Sequence, residues 1–391
     1  MIKGNKFDVS WIIVEETDSN ILLPCTHKNR SQLLNNKCID SNRLVPAKKN
    51  HTFASLVQEF PWLRGSILSL QSHSLAYCAI PKIASKSFLT LMIYVYIRDA
   101  IDHVDTNGTN IVVNKTRAEQ LVNIQKLHEA LRKNGIPLPE KREEISVTSL
   151  IQIFLHLLRF SSVNSTSPTV FLNPHRLNLK DILPHLNFNY TNSSSDILSP
   201  SFTRVLFVRH PFERLVSAYK ERIATLEKDR IQQEPYYDAL RKIICYRFSN
   251  KNRTQRSNPK PYSCQSVIPS FEHFVQYILN GIDDPSTIIR MDAHWQPYTI
   301  ICQVCNIRYN FIGKYESFND DFTLLLKRLN VSDWNKQHHL GASDNRTAEY
   351  RRMYSSLPDQ LICGLVRLYK NDLLLFNYQI EDYVNRTISA C

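Results

Sequence analysis

Glycine is scarce in this chain, with 8 among 391 residues. That excludes collagen-like and glycine-rich architectures and argues against propeller-type repeats. No internal repeat and no long low-complexity tract is present. Long apolar runs are missing too. No segment reaches the ~18 uncharged apolar residues of a membrane-spanning helix, and the opening MIKGNKFDVSWIIVEETDSN lacks the apolar core of a signal peptide or an anchor. The phosphate-binding pattern G-x-x-x-x-G-K-[ST] is absent. Cys302-x-x-Cys305 is the one close cysteine pair, with no second pair or histidines at ligand spacing, so no zinc site is expected. Homeodomain and RRM signatures are also absent.

What is present is ordinary globular composition, 43% hydrophobic and 21% charged, enough for one large α/β domain or two smaller ones. The net charge of +12 favours anionic partners. The basic residues are scattered, with only short runs such as Lys48-Lys49, so nucleic acid is not the expected partner. Eleven Asn-x-Ser/Thr sequons, from Asn29 to Asn385, exceed what this composition gives by chance and suggest a secretory chain. In that compartment some of the nine cysteines form disulfides, and the odd count leaves at least one unpaired or intermolecular. Either the start is incomplete or the protein is not secretory; the sequons favour an incomplete start.

Residues 1–65 lack periodicity and read as a stem or loosely ordered lead, with the folded domain spanning 66–391. Ser74–Ile80 reads as a buried strand and Ser85–Asp99 as a helix with Phe88, Leu91, Met92, Val95 and Ile97 on its apolar positions. Residues 107–115 should be a loop, 117–133 and 146–160 helices, and 161–200 and 249–268 exposed connections. Thr203–Val208 is a second strand, followed by a helix from Pro211. Phe271–Leu279 reads as a helix, Tyr309–Gly313 as a strand, and Phe318–Leu329 and Pro358–Lys370 as helices. Strands alternating with helices predict a parallel sheet flanked by helices.

Two strand-to-helix junctions carry the chemistry, because ligands of an open parallel sheet bind beyond the carboxyl ends of its strands. In YCAIPKIASKSF the first junction offers Lys82 and a helix start with Ser85 and Ser87, where free N–H groups and the helix dipole favour an anion. Taken alone, that stretch also reads as an ordinary turn with a solvated lysine. In RVLFVRHPFERLVSAYKER the second junction offers Arg209 at the strand end and Ser217 two turns into the helix. Two such sites suit a nucleotide with two separate phosphate groups.

These two motifs resemble the carbohydrate sulfotransferases, in particular the Golgi group of chondroitin and dermatan 4-O-sulfotransferases. The first is also similar to the donor loop of the heparan sulfate 2-O-sulfotransferases. HWQPYTIICQVCNIRYNFIGKYESFNDDF and LYKNDLLLFNY continue the likeness, which covers about residues 70–380. The resemblance implies a P-loop-like three-layer α/β sulfotransferase fold, with a central parallel sheet flanked by helices. It implies PAPS (3′-phosphoadenosine 5′-phosphosulfate) as sulfuryl donor, without a metal. Pro81, Lys82, Ile83, Ala84, Ser85, Lys86 and Ser87 would hold the 5′-phosphosulfate, with Lys82 neutralising the bridging oxygen. Arg209 and Ser217 would bind the 3′-phosphate. The acceptor would be an anionic glycan such as chondroitin, dermatan or a related chain, and the location the Golgi lumen, as a type II membrane protein whose anchor is not visible in this chain.

The chain departs from the family where Lys86 replaces a usual Thr or Ser; Lys86 either pairs with the 5′-phosphate or points to solvent. His294, in the H-W pair, is the first candidate for the base that deprotonates the acceptor, with a hydrogen-bonded structural histidine as the plain alternative. Glu316 and Glu213 are weaker candidates, Glu213 being better explained by pairing with an arginine and His210 by shaping the turn. Arg214 and Arg222 could line the donor or the anionic acceptor, with a solvated helix face as the plainer reading, and Cys302 and Cys305 read as disulfide partners, bonded to each other or elsewhere. Two competing functions are a nucleotide kinase, disfavoured by the missing phosphate-binding pattern and the lack of an obvious Mg²⁺ carboxylate, and a non-catalytic sulfotransferase-fold protein that binds acidic glycans.

Overall fold

The computed structural model describes residues 27–40, 52–104, 110–160, 177–184, 186, 196–226, 234–248, 268–331 and 344–388. The connections expected at 161–200 and 249–268 lie largely outside the described residues. Six strands are described: β1 Ile67–Leu70, β2 Leu75–Cys78, β3 Ile101–Val104, β4 Ile111–Val113, β5 Thr203–Val208 and β6 Phe311–Lys314. The main helices are α1 His27–Asp40, α2 Ser85–Arg98, α3 Val147–Phe160, α4 Pro211–Ala218, α5 Pro235–Phe248, α6 Phe271–Leu279, α7 Phe318–Arg328 and α8 Asp359–Phe376.

The central sheet runs β1-β2-β5-β6. β2 and β5 are parallel, with Leu75 opposite Thr203, and β5 and β6 are parallel, with Val205 opposite Phe311. β2 is buried at all four positions and β5 at five of six, as strands covered on both faces must be. Ten consecutive residues of α2, Phe88 to Ile97, are buried, so this helix is apolar all round and runs through the interior. Phe88 stacks on Tyr77 with ring centroids 4.2 Å apart and meets Phe207 at 4.7 Å, locking α2 onto β2 and β5. Gly313 in β6 faces the Phe207 ring so closely that a Cβ there would overlap it. Each of β2, β5 and β6 leads into α2, α4 and α7 respectively, so three strand-to-helix junctions lie side by side along one edge of the sheet. This is the α/β layering expected from the alternating pattern.

Several elements differ from the sequence reading. The sheet is not purely parallel: β1 pairs antiparallel with β2 through a short turn. Ile111–Val113, expected as loop, pairs with Ile101–Val104 in an antiparallel ribbon. The helix expected over 117–133 is broken, because Asn123 caps a new helix by accepting from the Lys126 N–H at 3.1 Å. Within the stretch read as a loose lead, α1 is docked on the domain: Arg30 pairs with the buried Asp321 at 2.5 Å, and Cys38 forms a disulfide with Cys305. The second disulfide, Cys78–Cys302, joins the end of β2 to the segment after His294, so Cys302 and Cys305 are each bonded elsewhere and not to one another. Cys245 and Cys363 are disulfide-bonded too. Among the described residues no helix is long and apolar enough to cross a membrane.

Candidate active site at the strand ends

The loop after β2 is strained in a specific way. Lys82 has φ +71° and Ala84 φ +51°, both left-handed, and neither is glycine. A left-handed L-residue costs about 1–2 kcal/mol, so the surroundings must enforce the shape. They do so at four points. Ile83, between the two, is fully buried. The disulfide holds Cys78 to Cys302. Arg214 Nε donates to the Pro81 carbonyl at 3.4 Å, and Arg209 Nη1 to the Lys82 carbonyl at 3.3 Å. Left-handed residues interspersed in a turn bring successive N–H groups to one side, an anion-binding concavity. The loop opens directly into the first turn of α2, Ser85, Lys86 and Ser87, with the Ser87 N–H donating to the Ala84 carbonyl at 2.9 Å. The left-handed turn is thus reached without glycine, which is why a glycine-based pattern does not find it.

The Lys82 side chain is only 7% exposed, and its ammonium is ion-paired with Glu221. Burial pulls its pKa below the usual lysine range, and Glu221 opposes that shift only in part. Arg209 lies at the end of β5 with its side chain 4% exposed. It pairs with Glu213 at 2.5 Å, stacks over the Tyr315 ring at 4.3 Å, and leaves its buried Nε–H without an acceptor among the described residues. An orphan N–H of a buried guanidinium is costly and suits an anionic oxygen supplied by a ligand. Ser217 is half-buried on α4, two turns beyond Arg209. Lys86 is half-buried in the first turn of α2, and its carbonyl accepts from Thr90 Oγ1 at 2.7 Å.

His294 closes the site on the other side. α4 continues into a π-helical turn, Tyr219–Ile223, which carries Glu221 and Arg222; such widened turns recur at functional sites. Arg222 Nε reaches His294 Nε2 at 3.2 Å, and its other nitrogens pair with Glu234 and, at 3.5 Å, with Glu221. On the far side of the ring, Nδ1 lies 2.7 Å from Asp292 Oδ1 and 2.9 Å from the Tyr237 hydroxyl, and Tyr237 donates to Asp292 Oδ2 at 3.0 Å. Burial pushes the His294 pKa down, and the charges of Arg222 and Lys82 add to that against the pull of Asp292. The imidazole is therefore neutral near pH 7. Lys82, Glu221, Arg222 and His294 form one chain of contacts and charges linking the Lys82 loop to the 292–296 segment.

Of the residues singled out in the sequence, the structure brings Pro81, Lys82 and Arg209 into direct contact through Arg209 and Arg214, and joins His294 to Lys82 through Arg222 and Glu221. Glu213 does pair with an arginine, and His210 does shape its turn: Nδ1 accepts from the Phe212 N–H at 3.1 Å and Nε2 donates to the Gln379 carbonyl at 2.8 Å. Glu316 accepts from the His210 N–H and the Tyr378 hydroxyl, at 2.8 and 3.0 Å, and braces the ends of β5 and β6. The solvated-face reading of Arg214 and Arg222 is wrong. Arg214 is 1% exposed, bonded to the carbonyls of Pro81, Gln296 and Ala293 and stacked on Tyr298. It braces the Lys82 loop against the His294 segment. Glu221, Glu234, Tyr237 and Asp292 were not singled out. Asp292 had a local signal: an aspartate two residues before a histidine can accept from that residue's own N–H, as Asp292 Oδ1 does at 2.8 Å.

Among the described residues no group of His, Cys, Asp and Glu is arranged to hold a metal ion. Residues 67–379 match the model of the sulfotransferase family. Similar curated proteins are carbohydrate sulfotransferase 12 of Xenopus laevis (32% identical, 51% of this chain, 47% of the relative), carbohydrate sulfotransferase 11 of Rattus norvegicus (33%, 47% and 49%) and carbohydrate sulfotransferase 8 of Mus musculus (32%, 46% and 40%). The matched part spans about half the length, or less, of these relatives. No solved structure matches.

Proposed function

This chain belongs to the sulfotransferase family, and from that premise we propose that it is a PAPS-dependent carbohydrate O-sulfotransferase. The observation that carries the reading is the strained, glycine-free loop with left-handed Lys82 and Ala84, set against a buried arginine whose Nε–H lacks an acceptor. The residues fit the donor. The loop Pro81–Ser87 offers N–H groups and the Lys82 ammonium to a 5′-phosphosulfate. Arg209 and Ser217 offer a guanidinium and a hydroxyl to a 3′-phosphate. The bound donor supplies an activated sulfuryl group; the protein positions it and stabilises charge on the oxygen it leaves. His294 takes the proton of the acceptor hydroxyl.

The proposed acceptor is an anionic glycan of the chondroitin or dermatan type, in keeping with the +12 charge and with the carbohydrate named for the relatives. A Golgi-lumenal location belongs to the same proposal. It is supported by the disulfides and by sequons at the exposed Asn330 and Asn385. A non-catalytic glycan-binding reading has one observation on its side, the capture of the Lys82 ammonium by Glu221.

Calorimetric titration with 3′,5′-ADP against 5′-AMP decides between them. Binding that needs the 3′-phosphate and is lost in Arg209→Ala and Lys82→Ala supports the sulfotransferase reading. No binding by the folded protein refutes it and favours the glycan-binding one.

A further inference from the structure

We infer that Asp292 is a positioning residue that fixes the tautomer of His294 and holds the imidazolium it becomes, with Tyr237 clamping the carboxylate. The inference rests on the sulfuryl-transfer reading above but concerns a different pair of atoms. The hydrogen-bonding inventory settles the proton positions. Arginine has no acceptor, so Arg222 Nε must donate to His294 Nε2, which therefore carries a lone pair. The ring proton then lies on Nδ1 and points at Asp292 Oδ1, 2.7 Å away. That same oxygen accepts from the His294 backbone N–H at 2.8 Å, so a single carboxylate fixes both the ring and the chain that carries it. Oδ2 is held by the Tyr237 hydroxyl at 3.0 Å. Asp292 and His294 side chains are 11% and 15% exposed, so water competes little for these bonds.

In the reaction the acceptor hydroxyl takes the place of Arg222 at Nε2. Its oxygen lone pair forms the new O–S bond while the bond from sulfur to the phosphate's bridging oxygen breaks, the electron pair leaving with the phosphate. The hydroxyl proton moves to His294 Nε2. Both ring nitrogens are then protonated, and the positive charge faces the carboxylate of Asp292. Arg222, displaced, keeps Glu234 and Glu221 as partners. The groups that set the titration of His294 are Asp292 and Tyr237 on one side, and Arg222, Lys82, Glu221 and Glu234 on the other. The arrangement uses a carboxylate–imidazole pair as a base without any covalent role for the protein.

The test compares wild type with Asp292→Asn, Asp292→Ala and His294→Gln, read in three ways. Titration with 3′,5′-ADP reports the donor site and is expected to be unchanged within about twofold. Turnover of desulfated chondroitin should fall on the order of 10²-fold in kcat for both Asp292 variants, with KM nearly constant and the acid limb of the pH profile moved to lower pH. Histidine ¹⁵N spectroscopy should show His294 as the Nδ1–H form in the wild type. Its titration should move to lower pH in Asp292→Asn, because the carboxylate that stabilises the imidazolium is gone. Loss of thermal stability without a moved pH limb would reduce Asp292 to a structural residue and overturn the inference. So would an Nε2–H tautomer in the wild type. If chondroitin is not turned over, the spectroscopic arm still decides, and failure of 3′,5′-ADP binding marks failure of the donor reading alone.

Discussion

Glu221→Gln separates the stability of the Lys82 loop from its affinity for an anion. In the structure the Lys82 ammonium already has a partner, which under the proposed donor reading a phosphate has to displace. The two sides of that ion pair differ. Lys82 is 7% exposed and Glu221 58%, so solvent screens the carboxylate and the pair stays well short of a fully buried one. A value of about 1–2 kcal/mol is appropriate, between the surface and buried ranges. Glutamine keeps a carbonyl that accepts one hydrogen bond but removes the charge. The free protein should therefore lose about 1 kcal/mol of stability, while 3′,5′-ADP should bind about 5–30-fold more tightly, because the phosphate no longer competes with a carboxylate. The assay pairs urea unfolding of the free protein with calorimetric titration. The signature is the opposite movement of the two readings. Affinity that is unchanged or weakened in Glu221→Gln would refute the reasoning, and Lys82 would then not meet the phosphate at all.

Three further outcomes follow from the packing. Burial pushes the His210 pKa down to about 4 from an ordinary 6.5, so the folded state binds fewer protons than the unfolded one below pH 6.5. Acidification from pH 7 to 4.5 should cost about 2–3 kcal/mol through this residue, and His210→Gln should flatten that part of the urea-stability profile. Asp372, whose buried carboxyl is pushed up to about 6, acts in the opposite sense over the same window, so the difference between variant and wild type is the quantity to read. Gly313→Ala should destabilise by about 1–3 kcal/mol, since the Phe207 ring is wedged between Phe88 and Phe318 at 4.7 and 5.2 Å and cannot yield; a loss under about 0.5 kcal/mol in urea unfolding would contradict that packing. Ala84→Gly should stabilise the free protein by about 0.5–1 kcal/mol, as relief of left-handed strain exceeds the entropy of the added glycine. A drop in thermal midpoint would show that the loop is not strained.

The sheet's inner strands were legible because TRVLFV and the run before Pro81 each carry a continuous apolar stretch with a proline within three residues of its end. The elements that were missed are short or polar. β1, β3 and β4 have three or four residues each, too few to establish a period. α1, HKNRSQLLNNKCID, has no apolar stripe and is held instead by Leu34, the Arg30–Asp321 pair and a disulfide, none of which leaves a local pattern. The site divides in the same way. Lys82, Arg209 and Ser217 belong to two continuous motifs and could be read from them. Tyr237 meets Asp292 across 55 positions and Arg222 meets His294 across 72, and such contacts exist only after folding. Arg214 was misread because three donors satisfied by carbonyls, together with a stacked aromatic face, look, in sequence, like any charge on a helix.

The pairing of Cys78 with Cys302 also governs how the protein has to be made. The two sulfurs are 224 residues apart, and the Cys38–Cys305 bond encloses them with a span of 267. At a synthesis rate of about 5–20 residues per second, Cys38 and Cys78 wait roughly 10–50 s for partners that have not yet been translated. During that interval every thiol translated so far is a wrong partner for either of them, Cys25, Cys245 and Cys264 included. A premature Cys38–Cys78 bond would tie α1 to the strand that feeds the Lys82 loop and block both native bridges. Yield of active protein is therefore expected to track disulfide-isomerase capacity more closely than thermal stability, and Cys38→Ser, by removing the wrong partner, should speed recovery of the Cys78–Cys302 bond even though it costs a disulfide.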